Sequence, residues 1–368
     1  MFLSNMEKNI WILSMILFCA GCKPSKLNDG ASVTVTFGRE DFVRQQELHN
    51  PTEIVFDSLL NPTAFYLMYD TLVVVQNQPN CDYLIEMYSL TTRERVGKFA
   101  PKGGGPDDYL SCLCFVRSGS DSVINLIDQQ LEICHIVQVS SSIATERLQE
   151  RKRFRYNPEI HPYSDICIPN DTHYIGYNMW YLNSPKYNNH VPAIKRYAIE
   201  DQQNSRIEHA YFVASVNNAR LAVSPITGEI WLLDSHQDKI SIYNDSLQIV
   251  KILSGPDGYR IFYSDIQTNI PTPFVTFADN KMYRSYTNYT CTDKHIYVIY
   301  EGVNGTNFNP EDLKPVEVLK FDWMGNLLCI YKIDRYIYTI SVDSREEYLY
   351  CTARTSYLDE AYFFKYKL

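Results

Sequence analysis

Two kinds of signal are scarce in this 368-residue sequence: long apolar runs and local catalytic or metal-binding motifs. A helix that crosses a bilayer needs about twenty consecutive apolar residues. The longest run here, Ile10 to Ala20, has eleven, and none of spanning length follows it. A helical membrane protein is therefore excluded. Beyond residue 22 there is no C-x-x-C pair, and nowhere is there an H-E-x-x-H pair or a G-x-S-x-G elbow. These absences remove the local signatures of zinc sites, thiol redox centres and α/β-hydrolases. Positive charge is also in deficit. With 34 Lys and Arg against 43 Asp and Glu, the net charge is −9. That argues against a nucleic-acid partner, whose binding rests on cations neutralising phosphates.

Tyrosine is abundant instead: 29 Tyr and 17 Phe stand beside only 4 Trp. Tyrosine favours strands, where the ring packs and the hydroxyl still reaches water. Hydrophobic residues at 45% and charged residues at 21% describe a globular chain. Ten cysteines are present. Cys112, Cys114, Cys134, Cys329 and Cys351 sit in apolar strand-like runs, where cysteine behaves as a small buried hydrophobe. Core packing is the expectation for them, with one or two disulfides left open.

The first 22 residues read as an address. A short polar stretch, Met6 to Asn9, precedes the apolar run, which ends in Cys19-Ala20-Gly21-Cys22. This ending resembles a bacterial lipobox, with Cys19 standing where an aliphatic residue is usual. The resemblance implies a lipoprotein signal peptide over residues 1–22, lipidation at Cys22 and anchorage to a lipid bilayer through that lipid. Residues 23–31 form a polar tether, and residues 32–368 form one domain. Lys23-Pro24-Ser25-Lys26 lacks the acidic run typical of surface-exported lipoproteins, which favours the periplasmic side of the outer membrane.

From residue 32 onward, short apolar or aromatic strands alternate with hairpin-sized turns. Phe65–Met68, Leu72–Val75, Tyr83–Tyr88 and Arg95–Phe99 make a four-stranded unit with turns at Asp70 and Asn80-Cys81-Asp82. Such units fall near residues 51–99, 110–150, 156–215, 217–254, 275–333 and 336–368. No long amphipathic helix or parallel βαβ unit competes. The last unit shows only three strands, ending in Ala361–Lys367. An N-terminal strand, Ser32–Phe37 or one close to it, is expected to supply the fourth. The expectation is an all-β, six-bladed propeller of four-stranded antiparallel blades, its last blade closed from the N-terminus.

Several stretches invite a chemical reading. Gly103-Gly104-Gly105-Pro106 suggests a phosphate loop, but no Gly-Lys-Ser/Thr opens a helix there, and a tight crossing between blades is expected instead. Arg151, Arg153 and Arg155 make either an anion ladder or a charged outer edge strand, and the edge is preferred. Asp70-Thr71-Leu72 and Asp245-Ser246-Leu247 read first as turns. Residues 156–215 gather aromatics, histidines and amides. Tyr163, His173, Tyr177, Trp180 and Tyr181 are the candidate binding residues, since rings stack on sugars or peptides while amides hydrogen-bond. The competing reading is that these rings simply fill strands.

Val316–Asp334 (VEVLKFDWMGNLLCIYKID), the following ISVDSREEYLYC and the loop Gly103–Tyr109 together resemble TolB-like six-bladed propeller lipoproteins of gut-dwelling Gram-negative bacteria. The loop departs from the family pattern at Asp107 and Asp108, where glycine and glutamate are usual. The resemblance implies a propeller in the cell envelope and no particular activity.

Two functions follow as expectations. The first is a non-enzymatic binding module for a peptide, glycan or protein partner. The alternative is an envelope hydrolase or lyase at the mouth of the central channel, with calcium the one cofactor left open. No catalytic or metal-binding residue can be named from the sequence.

Overall fold

The computed structural model describes residues 32–57, 62–78, 80–105, 107–116, 122–157, 165–178, 193–198, 218–266, 274–277, 282–305, 313–354 and 361–368. Its strands form six antiparallel blades around a central axis. Blade 1 holds Pro62–Met68, Leu72–Asn77, Tyr83–Ser89 and Arg95–Pro101. Blade 2 holds Leu113–Val116, Val123–Asp128, Ile133–Gln138 and Glu150–Arg155. Blade 3 shows three strands among the described residues: Ile166–Cys167, His173–Asn178 and Ala193–Ala198. Blade 4 is Ala219–Val223, Ile230–Asp234, Lys239–Tyr243 and Ile249–Ser254. Blade 5 is Tyr283–Cys291, His295–Asn304, Glu317–Asp322 and Leu327–Ile333, and blade 6 is Ile337–Val342, Tyr348–Ala353 and Tyr362–Lys367.

The burial pattern explains why the second strands read as unbroken apolar runs. A middle strand of a blade is covered on both faces by neighbouring blades, so side chains of both parities are buried. Val123–Asp128 and Ile230–Asp234 are buried at every position. Between blades 4 and 5 the filling is aromatic. Trp231 meets Phe321 at 5.7 Å and Trp323 edge-on at 5.9 Å. Each such ring, fully buried, contributes roughly 1.5–3 kcal/mol of transfer free energy. The seven cysteines whose side chains are described are free thiols, and Cys112, Cys134, Cys329 and Cys351 are buried.

Closure from the N-terminus holds, but through a different strand. Thr52–Glu53 pairs antiparallel with Tyr362–Lys367 and completes blade 6. The strand within Ser32–Phe37, Val33–Thr36, instead lies parallel to Ile249–Ser254 of blade 4. Next, Arg44–Leu48 lies parallel to Leu327–Ile333 of blade 5. The N-terminal segment thus covers the outer edges of blades 4, 5 and 6 in turn. Phe37 and Phe42 pack edge-on against Phe321. Gly255 permits the close crossing, since a Cβ there would stand 2.0 Å from the Phe37 carbonyl oxygen.

Among the described residues nothing pairs with the outer strands of blades 1 and 2, and these are basic: Arg95–Pro101 (RVGKFAP) and Glu150–Arg155 (ERKRFR). The strands covered by the N-terminal segment, IVKILS and LLCIYKI, are mostly apolar. Cations on an open edge oppose pairing with another chain, so the arginine run is the outer strand of blade 2, as preferred.

Two elements were not anticipated. Val139–Thr145 is a short helix in blade 2, tied to the preceding strand by the Ser142 hydroxyl, which donates to the Gln138 carbonyl at 2.7 Å. Tyr263–Ile266 and Phe274–Phe277 form a separate hairpin between blades 4 and 5. The Gly103–Tyr109 loop is the crossing from blade 1 to blade 2, held by the Asp108 carboxylate accepting from the Gly105 N–H at 2.8 Å.

Candidate ligand-binding site at the channel mouth

In an antiparallel blade the turns after the first and third strands fall on the same face of the ring. The turns after the first strands of blades 1, 3, 4, 5 and 6 surround one mouth of the channel and enclose a cavity of about 1050 Å³. A second chamber of about 410 Å³ opens at the opposite mouth. Thr63, Arg220 and Asn288 line both and stand between them.

Most fixed charge in the wide chamber is already engaged. Arg220 donates to Asp165 at 3.1 Å and to the Thr287 carbonyl at 3.0 Å. Arg196 pairs with Asp245 at 2.6 Å. Ser344 donates to Asp70 through its N–H at 2.8 Å and through its hydroxyl, joining blade 6 to blade 1. Glu346 accepts from Thr292 at 2.6 Å, Tyr297 at 2.8 Å and Lys320 at 2.8 Å, and lies 2.7 Å from His295 Nδ1. Burial alone would raise the Glu346 pKa, but these donors overcome it and hold the carboxylate at about 2. These four carboxylates are held by neighbours, and Asp245 alone among them is largely exposed.

One amide stands out. Asn125 is 3% exposed, lines the wide chamber, and its Oδ1 has no hydrogen-bond partner. Leaving a buried acceptor unsatisfied costs roughly 1–3 kcal/mol. In the second chamber the Thr287 hydroxyl is likewise buried without a partner. Native structures keep few such groups, and a group of this kind calls for a water or ligand to complete it.

Of the residues singled out in the sequence, His173 lines the wide chamber, its Nδ1 2.8 Å from the Thr172 hydroxyl. Tyr177 lies on the strand His173–Asn178, in register with Ile194. Tyr163, Trp180, Tyr181 and Cys22 lie outside the described residues. Among the described residues no three His, Cys, Asp or Glu side chains converge as a metal site. Asn125, Asp165, Arg220 and Asn288 were not anticipated, because the ring brings them together from separate blades. The one local signal was an amide inside the apolar run Val123–Asp128.

Residues 45–345 match the family described as TolB-like 6-blade propeller-like. The fold is similar to the crystal structure of a member of the DUF4221 family from Bacteroides vulgatus. The TM-score is 0.57 at 11% identity, over 88% of this chain and 95% of that one. A putative exported protein from Bacteroides fragilis aligns at 9% identity with a TM-score of 0.48, over 92% of this chain and 100% of the other. None of the curated proteins is similar in sequence to the chain.

Proposed function

Because the chain belongs to the TolB-like six-bladed propeller family, we propose that it is a non-catalytic binding module of the cell envelope that seats a polar ligand in the wide chamber. The observation that carries this reading is Asn125, a buried amide on the wall of a cavity of about 1050 Å³ whose oxygen has no hydrogen-bond partner. A chamber of this size, with a polar wall and one mouth framed by turns from five blades, suits recognition. Four carboxylates on the wall, Asp70, Asp165, Asp245 and Glu346, are bound to neighbours. Glu346 in particular fastens blade 6 to blade 5.

The envelope address rests on the leader. Its eleven-residue apolar core ends at a lipobox-like Cys22, and among the described residues no helix is long and apolar enough to cross a membrane. Lipidation at Cys22 would hold the propeller on the outer membrane by a tether, on the periplasmic side.

The test uses immobilised residues 32–368 against two probe sets, free-carboxylate pentapeptides and neutral oligosaccharides. The expected result is retention of one set by the wild type and a loss of about tenfold or more in Asn125→Leu, from the cost of one missing buried hydrogen bond. Equal retention by both proteins would remove the chamber from the account.

A further inference from the structure

We propose that the ligand of the wide chamber is a peptide lying radially in the seam between blades 3 and 4, with a carboxylate toward the axis and a basic residue toward the rim. The inference rests on the binding-module reading and makes it specific.

The chamber is not confined to the axis. Its wall begins at Asp165 and Arg220, on the inner side of blades 3 and 4. It extends to Arg196 on the third strand of blade 3 and Asp245 in the turn after the third strand of blade 4. Among the described residues, no other seam contributes side chains so far from the axis. The chamber therefore has a radial arm, the shape that receives an extended chain.

The chemistry changes along that arm. Between the two ends the wall is mixed: the exposed Ile226 stands with Asn170, Ser224 and Thr227, above a seam that Ile175, Leu221 and Val223 fill as packed core. A neutral glycan brings no charge to meet the ion pairs at the two ends of the arm, Arg220–Asp165 and Arg196–Asp245. A peptide brings charge for both ends and an apolar side chain that can cover Ile226, 70% exposed on this wall.

The two ion pairs give the arm a direction. At the inner end Asp165 is only 6% exposed while the Arg220 side chain is 36% exposed, so the pair presents a guanidinium. A guanidinium is suited to bidentate capture of a carboxylate. At the outer end the exposures reverse. Asp245 is 74% exposed and Arg196 is 31% exposed, so the pair presents a carboxylate. A peptide ending in a free carboxylate, with an aliphatic residue near it and a Lys or Arg further back, matches all three segments. Asn125, on the second strand of blade 2, lines the same chamber.

The experiment uses the same immobilised protein with pentapeptide libraries bearing free or amidated C-termini, the oligosaccharide set, and the variant Asp245→Lys. The expected result is retention of free-carboxylate peptides rich in an aliphatic and a basic residue, with amidation weakening binding at least tenfold. In Asp245→Lys the selected basic residue should be replaced by an acidic one. Asp245 is exposed, so an unchanged thermal midpoint will show that this variant folds. Asn125-dependent retention of oligosaccharides alone would overturn the peptide proposal and leave the binding module standing. Peptides indifferent to amidation and to Asp245→Lys would overturn the seam. Retention of neither probe set would overturn both readings.

Discussion

Arg39 holds Asp257 through two hydrogen bonds of 2.6 and 3.1 Å, across 218 residues of chain. The same guanidinium reaches Glu317 with bonds of 2.8 and 3.0 Å. It thereby ties the N-terminal segment to blade 5 and to the connection that follows blade 4. The Arg39 hydrogen bonds hold the Asp257 carboxyl below its usual range against the opposing effect of burial.

Arg39→Ala should therefore loosen the N-terminal segment. About a third of the side chain is exposed, so solvent screening limits the loss to about 1–2 kcal/mol. Urea unfolding will read this as a lower midpoint, and limited proteolysis should cut residues 32–57 earlier. Arg39→Lys should recover less than half of the loss, because an ammonium cannot make the paired bonds. Full recovery by lysine would reduce the contact to simple charge.

Glu346 makes stability acid-sensitive. Its folded pKa of about 2 lies below the ordinary 4.5. Its contribution is therefore complete above about pH 4.5 and disappears as pH falls through about 2. The shift corresponds to roughly 2–3 kcal/mol. Thermal midpoints measured from pH 6 to pH 2 should fall more steeply in wild type than in Glu346→Gln. Parallel curves would remove Glu346 from the acid response.

Asp234 works in the opposite direction. Burial pushes its pKa up to about 6, although the His236 N–H and the Gln237 amide donate to it. Its neutral form is favoured in the fold, so its contribution is complete below about pH 3.8 and is lost as pH rises through about 6. Asp234→Asn should be more stable than wild type at pH 8 by about 1–3 kcal/mol, with the gap closing toward pH 4. The adjacent Gln237 amide can turn over to accept from the new donor. A gap that does not change with pH would point to packing instead.

The proposed lipidation at Cys22 predicts where the protein fractionates. In a Gram-negative host, Cys22→Ser should release the full-length protein from the membrane pellet into the soluble envelope fraction and abolish incorporation of labelled fatty acid. Fatty-acid labelling that survives the substitution would place the lipid elsewhere.

Much of the blade arrangement could be read from the chain. Middle strands such as Leu72–Asn77 and Tyr348–Ala353 are covered on both faces, and that coverage writes itself as an apolar run between polar turns. The edges were harder. Val33–Thr36 was recognisable as a strand, but its residues hold no information on which of six outer edges it meets, and it meets blade 4 rather than blade 6. Thr52–Glu53, which closes blade 6, is two residues long and shows no periodicity. Glu301 is charged, yet it is a buried strand residue held by Arg284 at 2.6 and 2.8 Å. A buried charge resembles a surface charge until its partner is known. The binding chamber was least legible, because residues between Thr63 and Glu346 reach it from separate blades. Asn125 and Arg220 become neighbours of one cavity only when the ring closes.

The N-terminal segment also fixes an order of events during synthesis. Its three partner strands begin at Ile249, Leu327 and Tyr362. A nascent chain that has not yet emerged past residue 249 leaves residues 32–57 with no strand to join. The loops to be closed are among the longest the sequence allows, which slows their formation. Until then the outer edges of blades 4 and 5 carry IVKILS and LLCIYKI, each with a single lysine, where the outer strands of blades 1 and 2 carry two or more cations. The part of the protein made first is thus among the last to settle, and it shields the strands with the weakest protection of their own.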